Sequence, residues 1–196
     1  MSEMVSTCVY YRRTGPMNTV RTLELAGARA RALGIRKVLV ATTSGATGVQ
    51  AAEALAGLDV IAVSHSTGFG EPDTQELSAE NRAAIEAAGV TILTCQHAFG
   101  GVGRAVRKKL GTYQLDEIIA YTLRTFGEGI KVAAEMALMA ADAGLVRTDE
   151  PVLAIAGTGR GADTAAILQP TNAQTFFDLR FLEIICMPAP EHVWNG

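Results

Sequence analysis

The chain has 196 residues, a net charge of -3 and a hydrophobic share of 48%; that length suits one domain spanning 1–196 and buries roughly 70% of the unfolded surface, enough for a core without disulfide or metal staples. No apolar run approaches the ~20 residues of a membrane span, and the opening MSEMVSTCVYY has no basic region followed by an apolar stretch, so a cytoplasmic protein with no membrane partner is expected. The acidic balance argues against a nucleic-acid partner, which demands a broad basic surface.

The first predicted strand covers residues 7–11, TCVYY. A turn, RRTGPMN, follows, and Asn18 is placed to cap a helix by accepting a hydrogen bond from a free first-turn amide. Val20, Leu23, Gly27, Ala30 and Leu33 then fall on one helical face, and Gly34 can end the helix in the left-handed conformation. Lys37–Ala41, KVLVA, reads as a strand buried on both faces because its apolar run is almost unbroken. A helix is expected over 45–56, a strand at Asp59–Ser64, and then the loop HSTGFGEPDTQEL. Ser78 caps a helix that reaches about residue 88, and Thr91–Thr94 is the fourth strand.

HAFGGVGRAVRKKLG reads as a looser region. A helical stretch follows over 115–143, where Gly127 and Gly129 weaken the middle so that a kink or two helices both fit. Val152–Ala156, 164–168 and 182–187 are the last strands, with no helix between the final two. The βαβα order predicts a three-layer α/β/α domain with a mostly parallel sheet and antiparallel strands added at the C-terminus. Cys8, Cys95 and Cys186 are odd in number and far apart, which suits neither a disulfide framework nor a zinc site. Each is read with a strand segment, as a small buried hydrophobe.

Ligands of such sheets bind beyond the carboxyl ends of the strands. The residues found there are Arg12 and Arg13; Thr42, Thr43, Ser44, Gly45, Ala46 and Thr47; His65, Ser66, Thr67 and Gly68; Gln96 and His97; and Gly157, Thr158, Gly159, Arg160, Gly161, Ala162 and Asp163. In TTSGAT the hydroxyls of Thr42, Thr43, Ser44 and Thr47 can donate to phosphate oxygens, Gly45 permits close backbone approach, and the next helix offers free amides and its positive dipole end. An ordinary Ser/Thr-rich turn is the plainer alternative. GTGRGAD superficially matches a dinucleotide fingerprint, but that fingerprint needs a following helix, and TAAILQP reads as a strand. A Gly-rich loop aiming Arg160 at a phosphate fits better, with Asp163 either orienting Arg160 or capping its own turn; a bare tight turn is the plainer reading.

His65 and His97 are the catalytic candidates, as acid, base or hydrogen-bonding group. His192, near a Pro-rich C-terminus, is expected to be exposed. The basic run from Arg104 to Lys109 is either a solvated helix face or a phosphate-facing cluster at the mouth of the site. No paired carboxylates, nucleophile elbow, P-loop or metal-ligand spacing emerges, so no metal is expected and binding comes before catalysis.

GARARALGIRKVLVATTSGATGVQAAEAL resembles the opening of the C-terminal domain of pyruvate kinase, and AADAGLVRTDEPVLAIAGTGRGADTA resembles that domain's later helix, turn, strand and Gly-rich loop. The whole chain, including YYRRTGPMNTVRTLELA and FFDLRFLEIIC, is similar to the stand-alone pyruvate kinase C-terminal domain-like family, whose role is undefined. The resemblance implies a phosphate loop at residues 42–47 and a Gly-rich loop at residues 157–163. It also implies a homo-oligomer and a small phosphorylated ligand, with flavin mononucleotide the most specific candidate. The kinase's catalytic barrel has no counterpart here, so the resemblance implies no pyruvate kinase activity. Residues 65–77 and the segment around Arg104 go beyond the kinase domain and shape a different pocket. Two other functions stay open: an enzyme acting on a phosphorylated metabolite or flavin through His65 or His97, and a ligand-free oligomeric interaction module.

Overall fold

Near-continuous apolar runs become the middle of the sheet in the computed structural model, which describes residues 3–189. In chain order the elements are β1 (Val9–Tyr11), α1 (Thr19–Leu33), β2 (Lys37–Ala41), α2 (Ala46–Ala54), β3 (Asp59–Ser64), α3 (Ala79–Ala87) and β4 (Thr91–Thr94). They continue with α4 (Gly101–Leu110), α5 (Leu115–Arg124), α6 (Glu128–Asp142), β5 (Val152–Ala156), β6 (Thr164–Gln169) and β7 (Arg180–Pro188). One seven-stranded sheet has the order β1-β7-β6-β5-β2-β3-β4. Every neighbouring pair is parallel except those involving β6, which runs against both β5 and β7. Among the described residues no helix is long and apolar enough to cross a membrane.

The strand period of two divides the core between the sheet's faces. Val38, Val40, Val60, Leu153 and Ile155 pack with Leu23, Ala51 and Ile85 of α1, α2 and α3, and with Leu55 just after α2. Their strand neighbours Leu39, Ile61, Val63 and Ala154 pack with Ala133, Met136 and Ala140 of α6. The three-layer expectation therefore holds, with α6 as the principal helix of the second face. Because α6 leads into β5, it runs back along the sheet and its first turns lie at the carboxyl edge.

Local differences have local causes. Gly34 ends α1 at φ 70°, and the Ile35 amide bonds the Ala30 carbonyl at 2.9 Å, as such a cap requires. Asn18 does not cap, because a 3₁₀ turn at Pro16–Asn18 puts it in the helical region, and its Nδ2 donates to the Arg13 carbonyl at 2.7 Å instead. The buried face of α1 is Thr19, Thr22, Leu23, Ala26, Gly27 and Ala30, leaving Val20 and Leu33 exposed. That rotation follows from hydrogen bonding: the Thr19 hydroxyl accepts from the Ala162 amide at 3.0 Å, and the Thr22 hydroxyl donates to the Ala162 carbonyl at 3.3 Å.

The looser region after β4 contains a full helix, α4, whose glycines do not prevent it. Residues 115–143 form two helices, broken where Gly127 adopts φ 132°. A 3₁₀ turn at Ala173–Asp178 separates the last two strands, and β7 is longer at both ends than expected. Of the three cysteines only Cys186 lies within a strand and is fully buried; Cys8 precedes β1 and Cys95 follows β4. His192 lies outside the described residues.

Candidate functional site

The TTSGAT segment leaves β2 under tight restraint. The Thr42 amide donates to the Val63 carbonyl at 2.9 Å, and its hydroxyl accepts from the Gly48 amide at 3.2 Å. Thr42 is therefore a buried brace. The Ser44 carbonyl accepts from Asn81 Nδ2 at 2.9 Å and from the Ser78 amide at 3.2 Å. Between these anchors Gly45 takes φ 98°, and a Cβ there would meet the Asn81 Cβ at 2.4 Å. Only glycine fits this crossing. The chain then enters α2 with the Ala46 and Thr47 amides lacking an acceptor among the described residues. Such a helix start attracts an anion through its amides and its dipole.

The second Gly-rich loop is a hairpin turn between β5 and β6 rather than the start of a helix, which settles it as not a dinucleotide fingerprint. Asp163 is fully buried at its base. Its carboxylate accepts from the Gly15 amide at 3.0 Å, the Thr158 amide at 3.2 Å and the Thr164 hydroxyl at 3.0 Å. Asp163 thus braces its own turn and the loop after β1, and does not orient Arg160. Arg160 is exposed, and among the described residues it forms no ion pair.

Between the two loops opens a cleft of about 860 Å³. Thr42, Thr43, Ser44, Ala46, Thr47, His65, Gly157, Gly159, Arg160 and Gly161 all line it. Gly45 sits behind its wall, Thr158 and Asp163 belong to the hairpin's inner brace, and Arg12 and Arg13 are exposed outside the lining. Ser66 faces a separate groove of about 240 Å³ with Phe69, Arg104 and Lys108.

His65 and His97 each have a carboxylate partner. His65 Nδ1 lies 2.6 Å from Glu76 Oε2, and its Nε2 faces the Thr43 hydroxyl at 3.5 Å. His97 Nδ1 lies 3.6 Å from Glu135 Oε2. Phe69 completes a triangle of rings with the two imidazoles, 4.0 Å from the His65 ring and 4.8 Å from the His97 ring, while the imidazoles meet edge to face at 5.3 Å, and the Arg104 guanidinium lies 4.7 Å above Phe69. The basic run is split in role. Arg104 turns toward the cavities, Arg107 is held by Glu117 at 2.7 Å, and Lys109 is solvated.

A smaller compartment of about 160 Å³ adjoins the cleft, sharing Ala41, Thr42, Thr43, His65 and Val132 with it. Lys131 and Glu135, one turn apart on α6 and both buried, form an ion pair at 2.5 Å there. Burial by itself would raise the Glu135 carboxyl, but His97 and Lys131 outweigh it and hold the group down at about 2. The thiols of Cys8, Cys95 and Cys186 are pushed up, chiefly by burial, which leaves them poor nucleophiles.

Glu76, Phe69, Lys131 and Glu135 were not singled out from sequence. Lys131 and Glu135 carried a usable signal: EGIKVAAEMALMAAD is apolar on every side of the pair, and a helix apolar all round is buried. Glu76 and Phe69 carried none, since both lie in the long loop after β3.

A family model described as "Pyruvate kinase, alpha/beta domain" matches residues 21–168. That range takes in both Gly-rich loops and all of α6. Among solved structures, the chain is similar to an O-ureido-L-serine-bound lysine-to-alanine mutant of O-ureido-L-serine synthase, with 22% identity and a TM-score of 0.28. The match covers 68% of this chain and 49% of that one, so the chain spans about half that protein's length. Likeness at that TM-score carries nothing further.

Proposed function

The chain belongs to the pyruvate kinase α/β domain family, and from that premise we propose that the cleft between its two Gly-rich loops binds a small phosphorylated ligand. The observation that carries this reading is the start of α2. Two amides without acceptors open there into a cleft that also holds Arg160, a guanidinium with no carboxylate partner among the described residues. Amides and a helix dipole favour an anion without needing a lysine, and a guanidinium adds bidentate recognition of phosphate oxygens. The Ser44 hydroxyl, which has no protein partner among the described residues, is a further donor. The cleft volume is within the usual range of small-molecule sites. Flavin mononucleotide is the most specific candidate ligand.

The test is a fluorescence titration of ligand-stripped protein with flavin mononucleotide, with riboflavin as control and inorganic phosphate as competitor. Saturable binding of the phosphorylated flavin alone is expected, and Arg160→Ala or Ser44→Ala should each weaken it by about tenfold, the worth of one charge-assisted hydrogen bond. Unchanged affinity in both variants would remove the phosphate from this place.

A second reading is favoured by the Glu76–His65–Thr43 alignment. A carboxylate that orients an imidazole against a cleft-facing hydroxyl is the arrangement of a general acid or base. If a reaction occurs, His65→Gln should lower turnover about 100-fold or more while ligand affinity stays within about twofold. Parallel loss of affinity would make His65 a binding group only.

A further inference from the structure

We propose that the inner compartment is a second subsite that receives a compact oxyanion, a carboxylate for preference, so that phosphoesters carrying such a group are held more tightly than those that lack it. The proposal rests on the reading of the outer cleft only for where the rest of the molecule lies. Three observations support it.

The first is a surplus of hydrogen-bonding capacity. Lys131 is buried, and its ammonium has three N–H donors, of which Glu135 Oε2 engages one. His97 is tied through Nδ1 to Glu135, and its Nε2 is buried without a partner among the described residues. Buried polar groups are normally satisfied. A carboxylate entering the compartment can accept from Lys131 and share a proton with His97 Nε2, whichever of the two carries it.

The second is charge. Lys131, Arg104 and Arg124 face the compartment against two carboxylates, Glu128 and Glu135, leaving one positive charge before either histidine is counted. Glu76, from the loop after β3, lies outside this lining and is engaged by His65 Nδ1 at 2.6 Å. Arg124 is held by Glu128 at 2.5 Å and Lys131 by Glu135, so the unbalanced cation is Arg104, which has no ion-pair partner among the described residues. Glu135 does not oppose an incoming anion as a free charge would, because its oxygens are taken up by Lys131, His97 and the Phe99 amide at 2.9 Å.

The third is size and position. A volume of about 160 Å³ admits a carboxylate together with a few attached atoms, and the shared wall at Thr43 and His65 makes the compartment an alcove of the cleft. Stability alone gives no reason to bury the Lys131–Glu135 pair, since apolar side chains of similar size commonly serve as well.

The experiment compares phosphoesters that differ only in an acid. Calorimetric titrations of the whole chain would use 3-phosphoglycerate against glycerol 3-phosphate, and 6-phosphogluconate against glucitol 6-phosphate, two lengths that sample different reaches. Oxalate alone would be followed through the His97 ring signals in NMR spectra. For at least one length the acid is expected to bind at least about tenfold tighter than its alcohol. That gap should close in Arg104→Gln and in the apolar double variant Lys131→Met/Glu135→Met, and oxalate should move the His97 signals. Equal affinities at both lengths, with His97 unmoved by oxalate, overturn the inference and leave the outer phosphate site standing. If no phosphoester binds while oxalate still moves His97, the outer-cleft reading falls and the inner anion site stands.

Discussion

Replacing Asp163 by alanine is expected to lower stability by about 4 kcal/mol and to weaken anion binding in the cleft beyond what partial unfolding explains. The carboxylate is fully buried, and it joins the loop after β1, the hairpin turn and the start of β6 through Gly15, Thr158 and Thr164. Hydrogen bonds to an ionised acceptor each contribute about 1.5–3 kcal/mol, and the donors left behind would be buried without partners. Gly161 adds to this dependence: a Cβ there would stand 2.4 Å from the Pro16 Cα, so the two loops are in backbone contact. Once the brace is lost they part, and Arg160 is carried on the loosened turn. Asp163→Asn keeps the shape but turns an NH₂ group toward a donor, so an intermediate loss of about 2 kcal/mol is expected. Urea denaturation at constant m-value measures both. A loss below about 1 kcal/mol for the alanine variant would mean that the buried carboxylate does not organise these loops.

Strand positions were legible because composition and burial agree there. Lys37–Ala41, Asp59–Ser64, Thr91–Thr94 and Val152–Ala156 stand as read, each a short apolar run closed by Gly, Ser or Thr. The two Gly-rich loops also meet at one cleft, since parallel strands deliver all their carboxyl ends to one edge. What failed was the assignment of faces and caps. Thr19 and Thr22 are buried against Ala162, a partner some 140 residues away, and no local pattern announces a hydroxyl that faces inward for a distant backbone. Asn18 is a good cap by type, but Pro16 begins a 3₁₀ turn that places it one step too deep. The helix α4 was obscured by its two glycines, Gly101 and Gly103, and by the absence of any buried residue on it. The inner compartment was missed for another reason, although the apolar surroundings of Lys131 and Glu135 pointed to a buried helix. A lysine and a glutamate four residues apart usually mark a solvated helix face, and that reading competes with the apolar surroundings until α5 and Phe99 are seen packed over α6.

Glu135→Met should cost about 3–5 kcal/mol, because it leaves the Lys131 ammonium in the interior without its counter-charge. The double variant Lys131→Met/Glu135→Met should regain most of that loss, since two unbranched apolar side chains can fill the same volume. Acid titration separates the same two variants from the wild type. The Glu135 carboxyl is depressed from its ordinary value of 4.5 to about 2, so its contribution is fully present above about pH 4.5 and fades as the pH falls toward 2. The wild type should lose stability through that window relative to the double variant, which has no such carboxyl to protonate. Denaturation midpoints at pH 6, 4 and 2.5 would measure the difference, and parallel acid profiles for the two proteins would contradict the assignment. If the apolar pair proves as stable as the ionic one at neutral pH yet no longer prefers a carboxylate-bearing ligand, stability cannot be what the buried charges supply. Their contribution is then the recognition of an anion in the compartment beside them.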